Sequence, residues 1–138
     1  MANVQPCPQK KQREIAPTTK RKKTILVADS DIVYCQLMGM LLENEGYSVF
    51  SCTDTSAAIG LISSRRFDFV IAEHSSNGIN GLSLLETAKL LRMDTPVLLM
   101  ASLTEMDAYI EAMHLGACDY ITKPIDWLEV QSIVRALC

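Results

Sequence analysis

The sequence lacks any long hydrophobic segment. No apolar run approaches the roughly 18 to 20 residues that a membrane-spanning helix needs. Residues 1–23 are polar and basic, whereas a signal peptide would have an apolar stretch there. We therefore expect a soluble cytoplasmic protein that does not insert into a membrane.

Paired cysteines are also missing. The 138-residue chain has five cysteines, an odd number, and they are scattered without a Cys-x-x-Cys pair. This pattern predicts neither a disulfide framework nor a zinc site, and it fits reduced thiols. With 49% hydrophobic and 21% charged residues, the composition is that of a globular domain.

The charge is divided unevenly along the chain. Residues 1–23 contain seven basic and one acidic residue, a net +6, and the rest contains six basic and fifteen acidic residues, a net −9. We predict a disordered basic tail over residues 1–23 and a single domain over residues 24–138. The tail could bind nucleic acid, an acidic partner or an anionic surface, or it could only aid solubility.

Short apolar runs alternate with helical patterns from residue 24 onward. Runs of four or five apolar residues are typical of strands that are buried on both faces. They are Ile25–Ala28, Tyr47–Phe50, Phe69–Ala72, Val97–Ala101 and Cys118–Ile121. Five strands alternating with five helices predict an α/β fold, a three-layer sandwich around a parallel sheet with right-handed crossovers.

Periodicity and capping residues predict the helices. In the first, Val33, Leu37, Met40 and Leu41 form one apolar face, and Gly46 ends the helix. Asp54 caps a second helix that runs toward Arg65, and Asp126 caps the fifth. The last three helices are predicted near Leu82–Arg92, Glu105–Leu115 and Trp127–Leu137, and the buried stripe of the last one comprises Val130, Ile133, Val134 and Leu137.

Polar side chains follow four of the predicted strands. Asp29, Ser30 and Asp31 follow the first strand, Glu73 follows the third, Ser102 follows the fourth, and Lys123 follows the fifth. In open parallel sheets, binding sites lie at the carboxyl ends of the strands, so these groups should lie close together. Carboxylates opposed to a lysine suit a divalent cation together with a phosphoryl group.

The motifs ILVADSD, DFVIAEHSSNGINGL, PVLLMAS and GACDYITKP occur in this order. In order and spacing they resemble the receiver domain of two-component response regulators, over residues 24–137. The resemblance implies a flavodoxin-like (βα)₅ fold with strand order 2-1-3-4-5. In a conventional receiver, an aspartate after strand 3 accepts a phosphoryl group from a histidine kinase and an acidic pair after strand 1 holds Mg²⁺. A strand-4 hydroxyl and a strand-5 lysine contact the phosphate, and a strand-5 aromatic residue reports the state.

Several of these positions differ in this chain. Asp29 matches the first acidic position, but Ser30 takes the second, and Glu73 stands at the phospho-acceptor position. Ala101 replaces the hydroxyl residue; the lysine and the aromatic residue are present as Lys123 and Tyr120. The resemblance implies at most a weak Mg²⁺ site, formed by Asp29, Ser30, Glu73 and Ser75.

The substitutions indicate a pseudo-receiver, a receiver domain that acts without phosphorylation and is not an enzyme. The extra methylene of Glu73 displaces its carboxylate by about one ångström, and a misplacement of that order can cost about 10²-fold in rate. Ser30 removes an anionic metal ligand, and Ala101 removes a donor to phosphoryl oxygens. We also expect Glu73 to reach Lys123 and imitate in part the charge of a phospho-aspartate.

Surplus apolar side chains predict an interaction surface around strand 5. Its members are Met106, Tyr109, Ile110, Trp127 and Leu128. Such a patch on the helix 4–strand 5–helix 5 face often marks an interaction site. The expected occupant is a signalling protein or a second copy of the chain; whether a histidine kinase binds is left open.

Three alternatives remain at this point. The nearest is a conventional receiver that accepts a phosphoryl group. The second is a phosphatase of the haloacid-dehalogenase type with Asp29 as nucleophile and Asp31 as general acid; Ile32 and Val33 do not fit its usual pattern. A flavin-binding flavodoxin is disfavoured because an acidic loop after strand 1 would repel a phosphate, and no glycine-rich loop is present.

Overall fold

A computed structural model describes residues 21–91, 94–102 and 105–138. Most of the predicted tail, residues 1–20, lies outside this part. The last three residues of the tail are described, and two of them contact the domain. Arg21 pairs with Asp68 at 2.9 Å, and Lys23 Nζ donates to the carbonyl of Cys138 at 2.9 Å.

The five strands form one parallel sheet. They are β1 (Thr24–Ala28), β2 (Ser48–Cys52), β3 (Phe69–Glu73), β4 (Val97–Ala101) and β5 (Asp119–Thr122). Their order in the sheet is β2-β1-β3-β4-β5, and all neighbouring pairs are parallel. This confirms the predicted strand order, with β2 and β5 beginning one residue later than the apolar runs suggest.

Five helices connect and flank the strands. They are α1 (Ile32–Asn44), α2 (Thr55–Ser64), α3 (Gly81–Leu91), α4 (Met106–His114) and α5 (Trp127–Leu137). The carboxylates of Asp31, Asp54 and Asp126 accept backbone N–H groups in the first turns of α1, α2 and α5. Capping therefore fixes the starts of these three helices, as predicted for α2 and α5.

Helices cover both faces of the sheet and enclose two core clusters. One cluster joins alternate strand residues to α1 and α5, for example Val27 to Met38 and Val130. The other joins the intervening strand residues to α2, α3 and α4, for example Ala72 to Leu84. Alternation of side chains along each strand produces these two layers, so the predicted three-layer sandwich is confirmed.

The predicted apolar face of α1 is wrong. Val33, Leu37 and Met40 are exposed by 66%, 53% and 68%, and Leu41 is only half-buried. The buried residues of α1 are instead Cys35, Met38 and Leu42. Ile32–Leu42 contains no charged residue, so apolar side chains lie on both sides of the helix and its periodicity does not show which side faces the sheet.

The predicted face of α5 is correct except at its end. Val130 and Val134 are buried and Ile133 is partly buried against the same cluster. Leu137 is instead 48% exposed. Trp127, expected off this stripe, is half-buried against the cluster.

The sequence predicts that the protein does not insert into a membrane, and the length and polarity of the helices bear on this. Within the part of the chain that the structure describes, no helix is long and apolar enough to cross a bilayer.

Candidate functional site

The carboxyl ends of β1, β3, β4 and β5 bring the predicted site residues together. Asp29 follows β1, Glu73 ends β3, Ala101 ends β4 and Lys123 follows β5. The backbone joins these ends as well, since Lys123 N donates to the carbonyl of Ala101 at 2.8 Å. Residues far apart in sequence therefore form one cluster at a single edge of the sheet.

Asp29 and Lys123 form the shortest ion pair of this cluster. Lys123 Nζ lies 2.6 Å from Asp29 Oδ2, and Asp29 Oδ1 accepts the backbone N–H of Asp31 at 2.9 Å. Asp29 is completely buried, so both of its oxygens are occupied and shielded from water. This environment does not favour the nucleophilic role that the phosphatase alternative requires.

Tyr34 holds the lysine from the side of α1. Lys123 Nζ lies 4.2 Å from the centre of the Tyr34 ring, within the range of a cation–π contact. The Tyr34 hydroxyl accepts the backbone N–H of Ile125 at 3.2 Å. Tyr34 is not among the predicted site residues, although an aromatic residue in the first turn after the acidic loop is a signal that the sequence contains.

Glu73 is held by donors from two loops. Its Oε1 accepts the Ser30 hydroxyl at 2.7 Å, the Ser30 backbone N–H at 2.9 Å and the Ile79 backbone N–H at 3.4 Å. Its Oε2 lies 3.9 Å from Lys123 Nζ. Glu73 therefore does reach Lys123, but only at the limit of an ion pair, and the closer carboxylate partner of Lys123 is Asp29.

Opposing effects set the pKa of the Glu73 carboxyl. Burial on its own would raise this pKa, because it penalises the charged form. Burial is outweighed by hydrogen bonds from the Ser30 hydroxyl, the Ser30 amide and the Ile79 amide, and by the charge of Lys123. Together they hold the pKa of Glu73 below its usual value. Glu73 is thus an ionised carboxylate at neutral pH.

Two glycines provide the room that Glu73 needs. A Cβ atom on Gly78 would lie 2.6 Å from Ser30 Oγ and 2.7 Å from Glu73 Oε1. A Cβ atom on Gly81 would lie 2.6 Å from the Glu73 carbonyl oxygen. Both distances are far below a normal contact. A side chain at Gly78 would therefore displace the Ser30 and Glu73 side chains, and one at Gly81, the first residue of α3, would collide with the backbone.

Ser75 is engaged within the same loop. Its backbone N–H donates to the carbonyl of Ile79 at 2.9 Å, and its own carbonyl accepts Gly78 N–H at 3.4 Å. Its hydroxyl accepts the backbone N–H of Asn77 at 3.3 Å. These bonds shape the turn that carries Ile79 toward Glu73.

Ala101 and Tyr120 lie in the same core cluster. Tyr120 is only 7% exposed, and its ring packs at a tilt against the ring of Tyr109, with centroids 5.9 Å apart. Burial, and to a smaller degree the nearby charge of Glu105, raises the pKa of the Tyr120 hydroxyl. Tyr120 therefore connects the end of β4 with the outer surface of α4.

The predicted partner surface is largely exposed. Met106, Tyr109 and Ile110 on α4 are 67%, 36% and 49% exposed, and Leu128 on α5 is 70% exposed. Trp127 contributes less surface than expected because it is half-buried. The structure therefore leaves an apolar α4 face, made of Met106, Tyr109 and Ile110, open to solvent.

The donor set does not fit a tight Mg²⁺ site. Mg²⁺ demands near-ideal octahedral oxygen ligands, usually one or two carboxylates together with waters. Here Ser30 is neutral, both oxygens of Asp29 are engaged, and one oxygen of Glu73 is already bonded. Among the described residues, no group of three or more His, Cys, Asp or Glu side chains is placed to hold a metal ion.

Residues 25–135 match the response regulator receiver domain family. The match covers most of the chain, and the chain therefore belongs to this family. This agrees with the geometry, because the fold has the strand order that the resemblance implied and the site lies at the expected edge of the sheet.

Curated relatives include much longer proteins. The transcriptional regulatory protein ZraR of Escherichia coli K12 is 32% identical over 111 residues, which are 80% of this chain and 25% of that protein. The two-component response regulator ARR14 of Arabidopsis thaliana is 32% identical over 120 residues, 83% of this chain and 31% of that protein. The chain therefore spans about a quarter to a third of the length of these relatives.

Solved structures show the same fold. A CheY-like receiver domain protein from Methanospirillum hungatei JF-1 has a TM-score of 0.80 at 22% identity, covering 84% of this chain and 93% of that one. A response regulator from Burkholderia pseudomallei has a TM-score of 0.73 at 28% identity, covering 85% and 67%. The latter structure contains a phosphorylated aspartic acid and a calcium ion.

Proposed function

We propose that this receiver domain is an atypical pseudo-receiver: it transmits signals by phosphorylation-independent contact with a protein partner or a second copy of itself. It acts in the cytoplasm, has no catalytic activity and binds Mg²⁺ weakly at most. The observation that carries the proposal is the burial of Tyr120 against Tyr109, in the core cluster that also contains Ala101.

The Tyr120 position supports independence from phosphorylation. In conventional receivers the strand-4 hydroxyl contacts the phosphate and the strand-5 aromatic residue reports the state. Ala101 has no hydroxyl with which to contact a phosphoryl group. Tyr120 is already buried and its ring packs against Tyr109, so we expect its position not to depend on chemistry at Glu73.

The setting of Glu73 supports the same conclusion. An attacking carboxylate oxygen must be free and in line with the phosphorus atom. Glu73 Oε1 accepts hydrogen bonds from Ser30 and Ile79, which leaves at most Oε2 for an attack and fixes the direction in which it points. The Glu73 charge is permanent and lies within 3.9 Å of Lys123, so the lysine has an anionic neighbour without a phosphoryl group.

The apolar α4 face is the proposed contact surface. Large apolar side chains at helical spacing are exposed there, and clustered exposed apolar side chains commonly mark protein interfaces. Tyr109 belongs to this face and touches Tyr120. The face is therefore directly connected to the end of the sheet that carries the site.

Phosphoryl transfer tests the first half of the proposal. The protein is incubated with acetyl phosphate and Mg²⁺, and intact mass is measured for wild type and Glu73→Asp. We expect no phosphoryl adduct on wild type and a partial adduct on Glu73→Asp, because Ser30 and Ala101 remain altered. A full Mg²⁺-dependent adduct at Glu73 in wild type would instead support the conventional-receiver alternative.

Self-association tests the second half. Sedimentation is compared for wild type and Tyr109→Ala, with Met40→Ala as the control because Met40 is an even more exposed apolar residue, 68% against 36%, and lies on α1. A homodimer through the α4 face predicts weaker association for Tyr109→Ala alone. Association that appears only after acetyl phosphate treatment, or that Met40→Ala weakens equally, contradicts the proposal.

A further inference from the structure

Three hydrogen-bond donors converge on a single carboxylate oxygen. Glu73 Oε1 accepts both the hydroxyl and the amide of Ser30, at 2.7 and 2.9 Å, and the amide of Ile79 at 3.4 Å. Glu73 is only 7% exposed, so water contributes little to its solvation. Donors aimed at a buried anion in this way are a preformed anion-binding arrangement.

The residue at position 30 decides whether this arrangement exists. Any residue there would offer its backbone amide, but the Ser30 hydroxyl makes the shortest of the three bonds. A carboxylate at this position would place a second negative charge against Glu73 Oε1, and like charges at this distance repel strongly. Serine at position 30 and glutamate at position 73 are therefore complementary.

The space above Gly78 belongs to the same arrangement. A Cβ atom at Gly78 would collide with both Ser30 Oγ and Glu73 Oε1. The longer side chain of Glu73 thus occupies a volume bounded by Ser30, Ile79 and Gly78. On the far side its other oxygen approaches Lys123 at 3.9 Å.

We infer that Ser30, the Ile79 amide and the space above Gly78 form a built receptor for one carboxylate, whose resident ligand is Glu73. This internal ligand completes the charge and hydrogen-bond balance of the site without a divalent cation. The inference does not depend on the α4 face or on the partner proposed above.

The hydrogen bonds of the Asp29 and Glu73 carboxylates explain why this arrangement does not include a cation. Neither oxygen of Asp29 is free, because each accepts a hydrogen bond, one from Lys123 Nζ and one from the backbone N–H of Asp31. A cation that drew on Glu73 Oε1 would have to compete with the Ser30 and Ile79 donors. Tight metal binding should therefore require changes at both position 30 and position 73.

Chemical rescue tests the receptor directly. Glu73→Ala removes the resident carboxylate and leaves the donors in place. Sodium acetate is titrated at constant ionic strength with sodium chloride, and the urea midpoint is followed. We expect a saturable rise of the midpoint for Glu73→Ala and none for wild type, because a ligand that binds only the folded state stabilises it.

The control removes the hydroxyl as well. In Ser30→Ala/Glu73→Ala the apparent affinity for acetate should fall at least about tenfold, since a hydrogen bond to a charged group is commonly worth that much. Equal rescue in both backgrounds overturns the role of Ser30. No saturable rescue in a folded Glu73→Ala protein overturns the receptor.

A second measurement decides the matter if Glu73→Ala does not fold. Mg²⁺ affinity is measured by calorimetry for Ser30→Asp, Glu73→Asp and the double variant. If Ser30 and Glu73 are complementary, the Mg²⁺ affinity of the double variant should exceed the product of the two single-variant gains by at least about tenfold. Single gains that multiply to the double gain overturn the inference.

Discussion

Replacing Lys123 should destabilise the fold because it leaves a buried charge behind. In Lys123→Met the Asp29 carboxylate, completely buried, loses the ammonium that lies 2.6 Å away. Removing one partner of a buried pair typically costs about 3 to 5 kcal/mol. We expect about 3 kcal/mol, the lower end of this range, because the lysine side chain is 13% exposed and Asp29 keeps its bond from Asp31 N–H.

Urea unfolding of Lys123→Met measures this cost. Lys22→Met is the matched control, because Lys22 is exposed and surface substitutions usually stay within about 0.5 kcal/mol. Adding Asp29→Asn should recover at least about 1 kcal/mol, since replacing both partners of a buried pair is far less costly than removing one. If Lys123→Met loses no more stability than Lys22→Met, the pair does not carry the energetic role assigned to it.

Three further predictions concern the scaffold. Gly81→Ala should destabilise the protein, because its Cβ atom would lie 2.6 Å from a backbone carbonyl oxygen, whereas Gly60→Ala, with nothing within 4 Å, should stabilise it by up to about 1 kcal/mol in urea unfolding. Leu42→Ala should cost about 2 to 5 kcal/mol by the same measurement, while Leu37→Ala, 53% exposed, should be nearly neutral; the reverse result would restore the sequence-predicted face of α1. The hydrogen bond from the Arg21 guanidinium lowers the pKa of the Asp68 carboxyl. The ionised carboxylate therefore stabilises the fold fully above about pH 4, its pKa in the unfolded chain, and this stabilisation is lost as the pH falls through the lower pKa of the folded state. Asp68→Asn should flatten the acid limb of a stability–pH curve.

The strands were predictable because a strand that is buried on both faces appears in the sequence as a continuous run of apolar residues. Phe69–Ala72 and Val97–Ala101 are continuous apolar runs, and every residue of β3 and β4 is buried. The face of α1 was not predictable in the same way. Leu37 and Met38 are adjacent and both apolar, and only the neighbouring sheet determines which one is buried.

The membership of the site was predictable, but its internal contacts were not. The order of strand ends places Asp29, Glu73 and Lys123 at one edge, and this follows from topology. The choice of partner by Lys123 depends on differences of about an ångström between two carboxylates. Such differences come from side-chain conformation and loop shape, which residue types and spacing do not specify.

Tyr34 links the edge of the sheet that carries the site to helix α1. Its ring lies against Lys123 and its hydroxyl accepts the amide of Ile125, so one side chain links α1, the lysine and the segment after β5. Any rearrangement that draws Lys123 away from Asp29 must also remove the cation from the ring. The position of the Lys123 ammonium is therefore coupled, through one side chain, to α1 and to the segment after β5.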